Sequence, residues 1–253
     1  MNYKLPGLPE RTGKPRISGI NMVMDKGLST HEAENLADTC AGLIDFIKLG
    51  FGTSLISPNL KDKLNIYRQA GIKTYFGGTL FEIFYVRNMV DDYRKYLSEF
   101  GMEVLEVSDG EVQIPHHVKC SLISRFSADF QVLSEVGSKE AGVIIPDEKW
   151  VQMMQDELKA GSWKVIAEAR ESGNIGIYNK DGSANTGLIE KIKSNIAIEN
   201  IIWEAPQKPQ QVYFIKQFGA NVNLGNIPST EVIALETIRL GLRGDTFFDF
   251  IGE

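Results

Sequence analysis

The stretch Trp163-Lys164-Val165-Ile166-Ala167-Glu168-Ala169-Arg170-Glu171-Ser172-Gly173 decides the fold. Side chains alternate across a strand, so Lys164, Ile166, Glu168 and Arg170 share one face while Val165, Ala167 and Ala169 share the other. The second face is small and apolar, suited to lie under a helix. The first carries a carboxylate and a guanidinium two residues apart, which are costly to bury unless paired or bound. The plain structural reading is an ion pair inside a barrel. A functional reading needs similar charges at the ends of other strands, and the rest of the chain supplies them.

Outward from this segment, one pattern repeats eight times: a short apolar strand, a polar or glycine-rich turn, and an amphipathic helix. The predicted strands are Ile17–Met24, Leu43–Leu49, Lys73–Phe76, Val104–Val107, Val132–Glu135, Lys164–Ala169, Ile201–Trp203 and Asn221–Leu224. The predicted helices run over 30–42, 59–70, 81–99, 115–129, 147–160, 185–195, 207–218 and 229–240. Ser29 and Glu32 have capping-box spacing. Ser57-Pro58 reads as a cap before a proline, and Pro115, Pro146 and Pro228 stand at similar starts. Gly71, Gly101, Gly161 and Gly219 read as helix stops. Strands alternating with helices imply parallel crossovers. Eight units within 253 residues predict an α/β fold, a (β/α)8 TIM barrel forming a single domain over 1–253, with an open doubly wound sheet as the alternative. Residues 1–15 read as a lead-in loop, and 241–253 as a C-terminal tail packed on the barrel.

The net charge of -6 argues against a general nucleic-acid or anionic-membrane binder, which would carry a basic surface. It leaves room for an anionic substrate held by a local cluster of bases. Cys40 and Cys120 fall in separate predicted helices and read as buried thiols, so the expected location is cytoplasmic. No apolar run approaches the ~20 residues of a membrane span, and the N-terminus has no signal-peptide core. His31, His116 and His117 make no metal pattern and are expected at the surface.

In a barrel of this kind the chemistry lies at the C-terminal ends of the strands. Those ends carry Asp25-Lys26-Gly27, then Lys48 followed by Gly50-Phe51-Gly52-Thr53-Ser54, then Gly77-Gly78-Thr79 with Glu82. Next come Glu106 with Ser108-Asp109-Gly110, Glu135 with Gly137-Ser138-Lys139, and Glu168 with Arg170 and Glu171. Trp203-Glu204-Ala205-Pro206 and Asn223 with Gly225-Asn226 complete the circuit. Any one charge alone reads as a solvated loop residue; their coincidence at eight strand ends does not. Acidic groups converging on a barrel axis repel unless neutralised, and an all-oxygen set suits Mg2+. The expected metal ligands are Glu168, Glu204, Glu106, Asp109 and Glu135. Lys48, Lys139 and Arg170 imply an anionic ligand beside the metal, and the glycine-rich turns let backbone N–H groups approach a phosphate. Gly50-Phe51-Gly52 imitates a dinucleotide fingerprint but lacks its third glycine.

At these same positions the sequence resembles the phosphosulfolactate synthase family. The matching segments are Lys14-Pro15-Arg16, Asp25-Lys26-Gly27, 48–54, 77–82, 106–110, 134–137, 168–173, 203–206, 223–227 and 240–245, so the resemblance covers nearly the whole chain. It implies a (β/α)8 barrel that adds sulfite to phosphoenolpyruvate with Mg2+, giving 2-phospho-3-sulfolactate. That is the step that opens a route to coenzyme M in archaea and is linked to sulfolactate in bacteria. The resemblance also extends to plant heat-stress proteins. On this reading Lys139, Arg170 and Lys48 are the catalytic set, with Lys139 donating the proton or anchoring substrate. Lys26, Thr53, Gly78, Asn223, Gly225 and Asn226 are the substrate- and phosphate-binding set. Small-molecule substrates are the expected partners, and a homo-oligomer is compatible with the sequence. Two other classes fit the residues: a different Mg2+-dependent barrel enzyme acting on a phosphorylated enol or aldol substrate, and a stress-associated relative without turnover.

Overall fold

Parallel strands alternate with helices from Asn21 to Arg239 in a computed structural model that describes residues 3, 5–137, 145–169 and 172–250. Strand β1 (Asn21–Asp25) leads into α1 (Thr30–Cys40), β2 (Phe46–Leu49) into α2 (Leu60–Gln69), and β3 (Lys73–Phe76) into α3 (Gly78–Tyr85) and α4 (Val90–Glu99). Then follow β4 (Val104–Val107) with α5 (His116–Phe126), and β5 (Gln131–Val136) with α6 (Asp147–Lys159). The last units are β6 (Lys164–Ala167) with α7 (Thr186–Asn195), β7 (Ile201–Glu204) with α8 (Lys208–Phe218), and β8 (Leu224–Pro228) with α9 (Val232–Arg239).

The eight strands form one sheet in the order β3-β2-β1-β8-β7-β6-β5-β4, with every ladder parallel. The two end strands, β3 and β4, lie side by side and bring the sheet round into a (β/α)8 barrel. Carboxylates bridge this seam. Gly78 N donates to Glu106 Oε1 at 2.6 Å, and Glu82 accepts from the Ser108 hydroxyl and from Gly110 N and Glu111 N.

Alternation along the strands sorts the residues into two cores. Met22, Met24, Phe46, Tyr75, Val104, Leu133, Ile166 and Ile202 point inward and fill the barrel. Val23, Ile47, Leu105, Val132, Val165, Ala167, Ile201 and Trp203 point outward under the helices. Burial of these apolar side chains, worth roughly 1.5–3 kcal/mol each for the larger ones, is what holds the helices on the wall. The predicted split of 164–169 therefore holds, with Ile166 and Glu168 inside and Val165, Ala167 and Ala169 outside.

Helix starts obey the sequence in part. Ser29 and Glu32 form a complete capping box on α1. Ser57 does not cap α2: its hydroxyl donates to Thr53 O, and Asn59 in a left-handed conformation precedes the helix instead. The proline inside a first helical turn is Pro209 of α8, joined to a Gln207–Gln210 capping box, which the sequence reading missed. The single helix predicted over 81–99 is two, because the chain turns through Asn88 at φ 57, a conformation that asparagine tolerates better than most residues. Predicted β8 (Asn221–Leu224) is displaced to Leu224–Pro228, which moves its polar residues relative to the site.

The N-terminal ends of the strands are closed by cations. Arg239, wholly buried, donates to Ala220 O, Val222 O and Asn21 Oδ1. Lys14 donates to three carbonyls, of Ala41, Ile44 and Gly71, and Arg16 pairs with Asp45. In the tail, Phe250 packs on the core and Phe248 is exposed. Cys40 and Cys120 are free thiols, Cys40 buried and Cys120 half-buried. Among the described residues no helix is long and apolar enough to cross a membrane.

Candidate active site

The C-terminal mouth of the barrel holds a cavity of about 460 Å3. Strand register builds its floor. Lys48 stands between Met24 and Tyr75 on neighbouring strands, and the last inward positions of β4, β5 and β7 are Glu106, Glu135 and Glu204. Glu168 follows directly on β6. All four carboxylates are at most 2% exposed.

Lys48 threads into their midst. Its Nζ is 3.0 Å from Glu106 Oε1, 3.4 Å from Glu135 Oε2 and 3.4 Å from Glu204 Oε1. Burial alone would push this ammonium down. Glu106, Glu204, Glu135 and Glu168 instead raise its pKa well above the ordinary lysine value. It is thus held as an ammonium by the carboxylates around it. Beneath it the buried Tyr75 phenol is also raised, by burial first and by Glu106 second.

Glu135, Glu168 and Glu204 each offer an oxygen within 4.8 Å of the others. Three converging carboxylate oxygens are a donor set that fits a hard divalent cation such as Mg2+. Glu204 is held in place by Ala169 N, which donates to Oε2 at 2.8 Å. Glycine makes room for Glu168: Gly137 has φ +149, and a Cβ there would collide with the Glu168 side chain.

Other expected residues are placed differently. Asp109 is not among the converging carboxylates; it leaves the barrel interior and pairs with Lys119 of α5 at 2.7 Å, because the chain past β4 turns outward to start that helix. Glu106 lines the cavity and is tied to Lys48 and Gly78 N, outside the trio of converging carboxylates. Gly78 therefore has its N–H committed to a protein carboxylate, and Gly77, which lines the cavity, has its own N–H committed to Leu49 O at 3.0 Å. Thr53 turns away, its hydroxyl donating to Gly50 O at 2.8 Å. Asn223 lies at the opposite end of the barrel, accepting from Ile20 N and donating to Glu199 O and Ile201 O, since β8 begins after it. Gly225 is a strand residue opposite Glu204, packed against Met22 and Ile202, and not part of a turn. Asn226 and Lys26 do line the cavity. Asn226 has φ 55, and its Nδ2 faces Ala169 O. Lys139 and Arg170 fall outside the described residues. Of the histidines, His31 and His117 are exposed as expected, but His116 is half-buried against Cys120 and Glu157.

The loop after β6 was unreadable in advance. Tyr178 OH donates to Glu204 O at 2.6 Å, and Ile177 N donates to Glu168 O. Gln207 and Gln210 hold Ser172 O and Gly173 O. This anchors Ser172 at the cavity wall with Phe51 and Pro206. The Gln-x-x-Gln spacing before an apolar run was the one available signal for it.

A parallel eight-stranded barrel with a lysine set among buried carboxylates at its C-terminal mouth defines a (β/α)8-barrel enzyme site. Within that class, the chain belongs to the (2R)-phospho-3-sulfolactate synthase (ComA) family, whose model matches residues 9–245. It is 45% identical over 245 residues to the phosphosulfolactate synthase of Methanothermobacter thermautotrophicus, covering 94% of this chain and 95% of that one. It is 41% identical over 244 residues to the phosphosulfolactate synthase of Bacillus subtilis, covering 95% and 97%. Among solved structures it is similar to the YdjI aldolase from Escherichia coli K12, with TM-score 0.57 at 11% identity over 86% of this chain and 78% of that one. A 3-hexulose-6-phosphate synthase aligns with TM-score 0.55 at 15% identity over 87% and 99%. At such identities these two likenesses concern the fold alone.

Proposed function

We propose that the protein adds sulfite to phosphoenolpyruvate to give 2-phospho-3-sulfolactate, a carbon–sulfur lyase reaction run in the synthetic direction with Mg2+. Membership of the family supports this, and one observation carries it to the residues: Glu135, Glu168 and Glu204 converge beside the fixed ammonium of Lys48 on the cavity floor.

In the reaction, the sulfur lone pair forms a bond to the methylene carbon of phosphoenolpyruvate. The double-bond electrons move onto the carbon bearing phosphate and delocalise into its carboxylate as an enediolate. A proton is then added to that carbon from an acid in the site, and the bond to phosphate stays intact. Mg2+ held by Glu135, Glu168 and Glu204 would supply Lewis-acid stabilisation of the enediolate. Lys48 contributes a positive charge that needs no reorganisation as negative charge develops, since its carboxylate partners already fix it. Lys139 is the proposed proton donor or substrate anchor. Arg170 is proposed to grip sulfite or carboxylate, because its planar fork can bind two oxygens at once. Lys26 at the rim and Asn226 on the wall complete the proposed substrate contacts.

Phosphorus NMR tests the reading. The phosphoenolpyruvate signal is expected to convert to a new phosphate ester only with enzyme, sulfite and Mg2+ together, and EDTA is expected to stop it. Conversion without sulfite, or undiminished conversion after exhaustive chelation, would overturn the corresponding half of the proposal.

A further inference from the structure

Behind the barrel wall, α5 sends a lysine inward to the site from outside. Lys119 is 0% exposed, and its Nζ donates to the main-chain carbonyl of Glu135 at 2.5 Å. The same ammonium is 2.7 Å from Asp109 Oδ1 in the β4–α5 loop and 2.8 Å from Glu157 Oε1 of α6. It thereby hydrogen-bonds to β5 and to the loop after β4 and forms an ion pair with a second helix. Glu157 is itself wholly buried. Lys119 and the Glu157 carboxyl, whose pKa burial pushes up to about 7, are thus held out of water behind one strand end, an arrangement that an apolar pair would replace with little or no loss of stability. Its location is specific: the carbonyl it grips belongs to the residue whose side chain, on the other side of the wall, meets Glu168, Glu204 and Lys48.

We propose that Lys119 is a positioning residue for Glu135, fixing the end of β5 so that this carboxylate is presented at the distance the site requires, with Asp109 and Glu157 as its anchors. This rests on the reading of Glu135 as a metal-holding group. Partners that orient a metal ligand from behind typically carry about 10–100-fold of metal affinity or activity.

Mn2+ binding followed by electron paramagnetic resonance, read beside kcat, tests it. Lys119→Met combined with Glu157→Gln removes both wholly buried ionisable groups together and leaves only Asp109, at the partly exposed end of the brace, without its cation. The expected result is a folded protein whose Mn2+ affinity and kcat both fall about tenfold or more. Asp109→Asn touches only the partly exposed end of the brace and is expected to move both quantities in the same direction by a smaller factor. Arg11→Met is the control. It breaks an ion pair with Glu236 at the opposite end of the barrel and is expected to lower the melting temperature while leaving Mn2+ affinity unchanged. Wild-type Mn2+ affinity and kcat in either folded brace variant would overturn the inference. Absence of Mn2+ binding in the wild type would instead overturn the metal reading beneath it.

Discussion

Replacing Lys48 with Met keeps an unbranched side chain, one atom shorter, and removes the charge from the centre of the site. Three carboxylates stand 3.0–3.4 Å from that charge. At an effective dielectric of ~20 each such contact is worth roughly 5 kcal/mol before desolvation is subtracted. Desolvation cancels most of it, and breaking a buried pair by deleting one partner typically costs about 3–5 kcal/mol net. The side chain is only 8% exposed, so solvent does little to soften the loss. In a chain of 253 residues, each kcal/mol moves the melting temperature by roughly 2–4 °C. Calorimetric melting in EDTA is therefore expected to show a drop of roughly 6–20 °C. Added Mg2+ is expected to restore part of the drop, because it offsets the same repulsion. Turnover is expected to fall by about a hundredfold or more, as when a preorganised charge stabiliser is removed. A melting temperature within a degree or two of wild type in EDTA would show that the carboxylates do not depend on Lys48 for charge balance.

Lys139→Ala is expected to cut kcat by about a hundredfold or more if the residue transfers the proton; steady-state kinetics giving a wild-type rate would remove it from the mechanism. Arg170→Lys is expected to raise the KM for one anion by the equivalent of about 1.5–3 kcal/mol with little change in melting temperature; a lowered melting temperature with unchanged KM values would mark a structural ion pair instead. Lys164, near the N-terminal end of the barrel, over the Trp163 ring, has its pKa lowered by burial to about 8 from 10.5. Between those values the unfolded chain binds more protons than the folded one, so a penalty present below pH 8 is relieved as pH rises. The stability difference between wild type and Lys164→Met should therefore shift in favour of the wild type from pH 8 to 10.5, and a difference flat across that range would contradict it.

How far the sequence could be read follows from what each feature depends on. The barrel was legible because strand alternation and helix periodicity are local, and the split of Val165, Ala167 and Ala169 from Ile166 and Glu168 needed nothing beyond the segment itself. The convergence of Glu106, Glu135, Glu168 and Glu204 with Lys48 was also legible, since each ends a strand on its inward phase. Asn223 and Gly225 were misplaced because β8 starts three residues later than its apolar content suggests, and a shift along a strand changes which end of the barrel a residue occupies. Asp109 was misplaced because the chain leaves the barrel at Ser108, and nothing in Ser-Asp-Gly fixes the direction of that exit. Lys119, Tyr178 and Gln210 were invisible for a different reason. Each acts on a main-chain carbonyl far away in sequence, and a carbonyl carries no residue identity to read.

The most direct test of the central claim is the reaction run in D2O with purified protein, sulfite, phosphoenolpyruvate and Mg2+, with the product analysed by mass spectrometry. The expected product contains every heavy atom of both substrates and one deuterium on the carbon bearing phosphate. It should form with wild type and be strongly reduced with Lys48→Met. Folded protein that yields no such adduct, or a product that has lost phosphate, would contradict the assignment of sulfite addition to this site.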